Sequence, residues 1–422
     1  MKQALQLGTL AAANLGFAFL FQWYVLTQLG PGAETDALFA GMTLPQLALL
    51  VISGSLMHVL VPMLAGESDE RLHHDAWAFL ILIGGLFGAL AIILFVTAQW
   101  WVPVTVPGFS KETQDLTTEL TRIQLIGMVL AALNGVQWAV YHAQQKFIWP
   151  EFSPLISGVV GFALLVWLLP RYGIEAAAWI GTLRLALQTL FLMPAMGKPV
   201  WPDLRGPSIN MAWSRIKPLL LGTSYYKTDT LVERLLLSTT TSGSLSLYYL
   251  AQQIYNAGSQ IVNKAIAAPL VPQLSKSHKI GDMQEFRHIY NRGLFRVGVI
   301  SLGAVLLLGL SGQYVLGWLI GYGCVSMSNL QALWWMMIWL GGAFVGGVVG
   351  QISSSTYYAA GDTATPTRIG IYSYTIYMPL KITLFYFTGI MGLALATSAF
   401  FMINFIIQDR LIRSKYLAVD AG

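Results

Sequence analysis

Apolar segments of membrane-spanning length recur from one end of this 422-residue chain to the other. That recurrence decides the class of fold before any motif is read. A segment crossing hydrocarbon must satisfy its own backbone N–H and C=O groups, and a continuous apolar run does so as a helix. Breaks at charged or Pro/Gly-rich text put spans near 7–29, 36–65, 76–98, 119–142, 151–170, 174–196, 213–238, 245–275, 290–319, 328–360, 366–388 and 390–411. The expected fold is an all-α polytopic membrane protein of about twelve transmembrane helices. Composition agrees: 10% of residues are charged, against roughly a quarter in a soluble domain.

Charge placement sets the orientation. One set of loops holds Lys2, Arg71, Lys146, Lys198, Arg205, Arg215, Lys217, Lys276, Lys279, Arg287, Arg292, Arg296, Arg368, Arg410, Arg413 and Lys415. The opposite set holds little beyond Lys111, Arg122 and Arg171. The positive-inside rule therefore places both termini in the cytoplasm of a multi-pass inner-membrane protein. The net charge of +5 follows these loops and does not form a phosphate-binding stripe, so no nucleic-acid partner is expected. A single lysine, Lys2, precedes an apolar stretch reaching Leu29. That is longer than the core of a cleaved signal peptide and reads as a retained first helix. The lone cysteine, Cys324, has no partner for a disulfide or a thiolate metal site.

The two halves of the chain echo each other. Leu60-Val-Pro-Met-Leu64 returns as Leu270-Val-Pro-Gln-Leu274, an offset of 210 residues. The same offset sets the Gly32 turn opposite Ser242. Tyr141 and Pro150 match Tyr357 and Pro366, and Gly173-Ile174 matches Gly389-Ile390, each at an offset of 216. A duplication giving two six-helix lobes, 1–198 and 199–422, explains this order and spacing better than chance agreement of Leu/Ala/Gly-rich text.

Ionisable residues inside predicted spans are the next signal. A charge at the bilayer centre costs ~2.5–3.5 kcal/mol on insertion scales, so it normally faces a partner or a watery cavity. Lys227, Thr230 and Arg234 share one face of the seventh span, and Asp229 and Glu233 lie one turn apart on a neighbouring face. Arg184, Lys264 and Lys381 add cations in other spans, and Asp36 adds a carboxylate. If they face inward, five cations outnumber the acids, and such a cavity suits an anionic substrate such as a lipid pyrophosphate. The competing reading is mutual neutralisation between helices for the seventh-span group, and snorkelling to an interface for Arg184, Lys264 and Lys381. Asp229 and Glu233 are also candidates for coupling to protons, with Asp36 a further acid in the set. Tyr249, Gln252, Gln253 and Asn256 make the eighth span unusually polar, as Asn14, Gln22, Asn134 and Gln137 do elsewhere. Such a lining suits sugar hydroxyls, and interhelical hydrogen bonding explains it equally well.

No catalytic set emerges. The histidines lack metal-ligand spacing, and neither a P-loop nor a dinucleotide fingerprint is present. No enzyme activity, metal or cofactor is expected.

Local text then resembles a known family. Gly32-Ala-Glu-Thr-Asp36-Ala-Leu-Phe, Leu44-Pro45 and Val61-Pro62-Met-Leu resemble the first two helices of the MurJ/MviN lipid II flippases. Gly243-Ser-Leu-Ser-Leu-Tyr-Tyr249 with Leu270-Val-Pro-Gln-Leu-Ser275 resembles their seventh-to-eighth helix region. Tyr357-Tyr-Ala-Ala-Gly-Asp362-Thr-Ala-Thr-Pro366 and Gly392-Leu-Ala-Leu-Ala-Thr-Ser398 are the most specific matches. The resemblance implies the multidrug/oligosaccharidyl-lipid/polysaccharide (MOP) exporter superfamily, MATE-like lobes and alternating access. Its implied substrate is a polyprenyl-pyrophosphate-linked saccharide, with the bilayer and envelope-synthesis enzymes as surroundings and partners. The family's arginines in the first two helices are absent here, and its Asp-Arg pair after the eighth-helix tyrosines is replaced by Gln252-Gln253. The cations would come instead from Lys227, Arg234, Lys264, Arg184 and Lys381, with lipid II or another lipid-linked oligosaccharide as cargo. Two other readings use the same residues: a cation-coupled multidrug exporter of the superfamily, relying on Asp36, Asp229 and Glu233, and a non-transporting scaffold whose Lys276–Arg296 loop docks a partner. A membrane-embedded glycosyltransferase would need an acid/base cluster at a membrane interface, which the sequence does not offer.

Overall fold

A computed structural model describes residues 2–201, 211, 225 and 227–416. The first half of the predicted seventh span, with Arg215 and Lys217, and Arg205 before it lie outside the described residues. Among those described the chain is all helix and turn, as the hydropathy pattern requires. It divides into two compact units, Met1–Ser246 and Leu247–Gly422.

In the first unit, α1 (Lys2–Leu29) is followed by the short α2 (Ala33–Gly41) and by α3 (Thr43–Leu64). The span predicted at 36–65 is thus two pieces meeting at Met42. Pro45 explains the joint, because it has no N–H to return to the carbonyl of Gly41. A long antiparallel pair follows, α4 (Asp69–Thr105) and α5 (Lys111–Ala143), with Ser110 capping α5 by accepting the Thr113 N–H at 3.3 Å. The next helix, α6 (Ile148–Leu192), is two arms joined at Gly173, whose φ of 61° and ψ of −149° only glycine adopts readily. Those arms are the predicted fifth and sixth spans. The short α7 (Asp229–Ser238) ends the unit beside the turn into α8 (Ser244–Val262). Leu60, Leu64, Phe79, Phe87, Leu125 and Met128 are among the buried residues joining α3, α4 and α5.

The second unit begins within α8. One π turn, Asn263–Ala267, leads directly into α9 (Ala268–Ile280), so the predicted eighth span is a broken helix. Then come α10 (Met283–Ile320), α11 (Met327–Ala359), α12 (Ala364–Thr388) and α13 (Ile390–Tyr416). Small residues let α11 and α13 approach closely. A methyl group at Gly346 would stand 2.7 Å from the Met402 backbone. Ser398 Oγ donates to the Trp339 carbonyl and accepts the Ala343 N–H at 3.0 Å. At one end of this unit Asp362 gathers Lys415 Nζ at 2.8 Å, the Thr365 N–H at 3.0 Å and the Tyr416 hydroxyl at 3.3 Å.

Among the described residues, seven helical stretches are long and apolar enough to cross a membrane. Turn geometry follows a similar spacing. Left-handed residues recur as Gly30 and Gly243, Gly66 and Gly281, Gln145 and Gly361, and Gly173 and Gly389. Their separations stay near the offset read from sequence, so the two halves repeat their chain reversals as well as their text.

Candidate functional site

The most tightly built polar feature of the first unit centres on Asp36. Local sequence explains its position. Helix α1 stops at Gly30 (φ 78°), Pro31 prevents continuation, and Thr35 Oγ1 accepts the Gly32 N–H at 2.9 Å to start α2. That turn carries Asp36 into the first turn of a helix buried from Thr35 to Gly41. Its carboxylate meets the start of α8. Oδ2 accepts the Gly243 N–H at 2.6 Å, and Oδ1 accepts the Ser246 N–H at 2.7 Å and the Ser246 hydroxyl at 2.5 Å. Thr35 Oγ1 lies 3.1 Å from Ser246 Oγ and widens the contact. An acceptor-only carboxylate facing two backbone donors at a helix N-terminus is a strong, directional arrangement.

Gly243 is required twice over at this clasp. Its φ is 89°, and a Cβ there would stand 2.8 Å from the Pro31 carbonyl carbon. Helix α7 supplies the buried Glu233 and Arg234, and the Arg234 charge acts on Asp36. The C-terminal end of α7 is pinned where Ser238 Oγ accepts the Gly108 N–H at 3.3 Å.

The remaining predicted site residues fall in different surroundings. Lys227 and Asp229 are half-buried ahead of Glu233. Arg184 lies in the second arm of α6, with its guanidinium 5.4 Å from the Phe21 ring and near Gly158, and its stem against Gly161. Its Nε is buried with no hydrogen-bond partner among the described residues. In the second unit, Lys264 is exposed within the π turn, whereas Lys381 is fully buried on α12 with Nζ 5.2 Å from the Tyr377 ring. Tyr249 is buried, Gln252 and Gln253 are half-buried and Asn256 is exposed along α8. The Arg234 charge thus reaches Asp36, with the buried Glu233 next to Arg234 on α7, while Arg184 lies on α6, Lys264 in the π turn and Lys381 on α12.

Two polar residues of the first unit resolve as interhelical links. Thr189 Oγ1 donates to Asn134 Oδ1 at 2.8 Å, and Gln137 Nε2 donates to the Thr189 carbonyl at 3.1 Å, binding α5 to α6. Sequence reasoning missed Gly243 and Ser246 as the partners of Asp36. A signal existed, since the 210-residue offset that aligns the two Val-Pro motifs also sets Ser246 opposite Asp36.

Comparison with known proteins places this geometry in context. The family model described as "Lipid II flippase MurJ" matches residues 25–420. Among curated relatives, the lipid II flippase MurJ of Burkholderia cenocepacia is 23% identical over 361 residues, covering 81% of this chain and 70% of the relative. The probable lipid II flippase MurJ of Vibrio cholerae is 24% identical over 409 residues, covering 90% and 76%. Among solved structures, a lipid II flippase MurJ in an inward closed conformation aligns with a TM-score of 0.84 at 18% identity, over 96% of this chain and 86% of that one. An inward-facing MATE-family multidrug resistance transporter of the MOP superfamily aligns with a TM-score of 0.79 at 14% identity, over 98% of each chain.

Proposed function

The chain belongs to the lipid II flippase MurJ family, and from that premise we propose that it flips a polyprenyl-pyrophosphate-linked saccharide from the cytoplasmic to the outer leaflet by alternating access. The cargo is lipid II or a closely related lipid-linked oligosaccharide, and the product feeds peptidoglycan or another cell-wall polymer. Family membership over nearly the whole chain carries the substrate class. The Asp36 clasp supports the mechanism.

With both termini cytoplasmic, the turn after α1 lies on the outer side, and the clasp becomes an outer closure. While Asp36 holds the Gly243 and Ser246 amides, the outer path is shut and cargo enters from the cytoplasmic side. Opening outward requires those hydrogen bonds to be exchanged for water, and reclosure restores them. The two lobes, 1–198 and 199–422, would move against each other about proline-marked bends such as Pro45 and Pro272.

In this reading the pyrophosphate takes charge-assisted hydrogen bonds from Lys227 and Arg234, with Arg184, Lys264 and Lys381 joining in other states of the cycle. Tyr249, Gln252, Gln253 and Asn256 offer donors and acceptors to sugar hydroxyls. Asp229 and Glu233 balance the cations and are the groups through which protons would couple. Nothing in this scheme breaks or forms a covalent bond, so the protein acts as a transporter rather than an enzyme. Envelope-synthesis enzymes that make or consume the cargo are its expected neighbours.

The test is depletion of the protein with mass spectrometry of undecaprenyl-linked intermediates. Accumulation of lipid II with lysis supports the lipid II assignment. Accumulation of a different lipid-linked oligosaccharide with normal peptidoglycan keeps the flippase and changes its cargo. Unchanged lipid pools in a strain lacking paralogues would overturn the proposal.

A further inference from the structure

Helix α10 carries a stripe that faces away from its own unit. Phe286, Ile289, Tyr290, Gly293 and Val297 are buried against α9 and α11, while Arg287, His288, Arg292 and Arg296 are exposed on the outer flank. Phe295 and Arg296 end the basic stretch, and beyond them the exposed flank is mainly apolar. Phe295 (72% exposed), Val299, Leu302, Leu306 and Leu310 follow at helical spacing and lead to Tyr314 (83% exposed).

The helix itself supplies a ruler. From Phe295 to Tyr314 is about 29 Å at 1.5 Å per residue, which matches the ~30 Å hydrocarbon core of a bilayer. Phe295 with Arg296 therefore marks one boundary, the arginine reaching back to the headgroups, and Tyr314 marks the other, in keeping with the interfacial preference of aromatic and long basic residues. Arg292 then stands about 5 Å outside the hydrocarbon, and Arg287 and His288 about 10–12 Å outside it. That interval is the headgroup layer. Gln284, Arg287, His288, Asn291, Arg292 and Phe295 line a shallow cavity of about 540 Å³ there. Of the acids at the start of the helix, Asp282 caps the Glu285 N–H at 2.9 Å, and the exposed Glu285 lies one turn before His288, where three basic side chains outnumber it.

We propose that this flank of α10 is a binding site for an anionic phospholipid of the leaflet at which α10 begins. The phosphate is held by Arg287, His288 and Arg292, and the acyl chains lie along Phe295, Val299 and Leu302. Phosphate recognition fits the guanidinium groups, which offer several donors and stay charged. Chain recognition fits the apolar stripe directly below them. The site is separate from the Asp36 clasp and does not depend on the identity of the flipped cargo.

The full chain, purified in detergent, is titrated with phosphatidylglycerol or with phosphatidylcholine of matched chains, and adducts are counted by intact-complex mass spectrometry. Each basic residue near an anionic lipid surface is worth a factor of about five. The double variant R287Q/R292Q should therefore bind phosphatidylglycerol about tenfold more weakly or worse, with unchanged helicity and phosphatidylcholine binding. A control removing the same charge on the opposite side, K111Q/R171Q, should bind as the unaltered chain does. Equal binding of the two lipids, retention by R287Q/R292Q, or an equal loss in the control would overturn the site. Displacement of the lipid by inorganic phosphate alone would make it a general anion site and likewise overturn the lipid assignment.

Discussion

Asp36 and Ser246 lie 210 residues apart in the chain and share a buried hydrogen bond of 2.5 Å. That separation equals the offset at which the first half of the sequence repeats in the second, so the carboxylate contacts the residue set opposite itself by the duplication. Two backbone amides complete its coordination. The clasp thus joins a side chain fixed by a helix start to a helix start that presents unpaired N–H groups.

Substitutions at the clasp should be graded. Ser246→Ala removes one donor and leaves both amides, for a loss of about 1 kcal/mol. Asp36→Ala orphans two buried amides, at about 1–3 kcal/mol each. Thermal unfolding in detergent should rank D36A well below S246A. Transport by D36A in vesicles should fall steeply, and equal behaviour of the two variants would contradict the clasp geometry.

Turn glycines should matter unequally. At Gly173, φ 61° and ψ −149° lie in a region costing about 1–3 kcal/mol for other residues, so Gly173→Ala should lower the Tm by several degrees. The matching test runs the other way at Gln145, a non-glycine at φ 59°. Gln145→Gly should leave the Tm unchanged or raise it, because relief of strain offsets the added freedom of the unfolded chain.

Acid should selectively weaken the end of α13. Lys415 holds the Asp362 carboxyl well below the usual range, aided by Thr365 and opposed by burial. A depressed carboxyl contributes stability above its unfolded pKa of about 3.9, and that contribution is lost as pH falls through the folded value. The stability difference between the unaltered chain and D362N should hold steady from neutral pH to about pH 5 and shrink below about pH 4. Unfolding midpoints measured across that range decide it. A difference that grows on acidification would have the wrong sign.

Arg184 should separate stability from transport. Its buried Nε lacks a hydrogen-bond partner among the described residues, and an unpaired buried donor costs about 1–3 kcal/mol. Arg184→Met keeps the length of the stem and removes that cost, so the Tm should stay level or rise. Flipping should fall if the guanidinium meets the cargo during the cycle. Full transport with a raised Tm would assign Arg184 no part in function.

Much of the candidate site was legible only by residue type. Lys264 and Lys381 read alike in sequence, as single cations within apolar spans. One is exposed in a π turn, and the other is sealed beneath Tyr377. Asn134 and Gln137 suited either a sugar-binding lining or helix pairing, and the bonds to Thr189 decide for pairing. The break at Asn263–Ala267 left no mark in the hydropathy pattern, because a π turn alters the rotation of a helix and not its composition.

The sequence by itself determined the membrane class, the helical state of the spans and the repeated order of turns. Hydrocarbon acts on each segment separately, and a left-handed turn is a local property, so both are written in consecutive residues. Tertiary structure alone decided that Asp36 would meet Gly243 and Ser246, and that the flank of α10 bearing Arg292 would face outward. Those outcomes depend on the rotation of each helix about its axis and on which neighbour covers it. Packing across residues far apart in the chain fixes both.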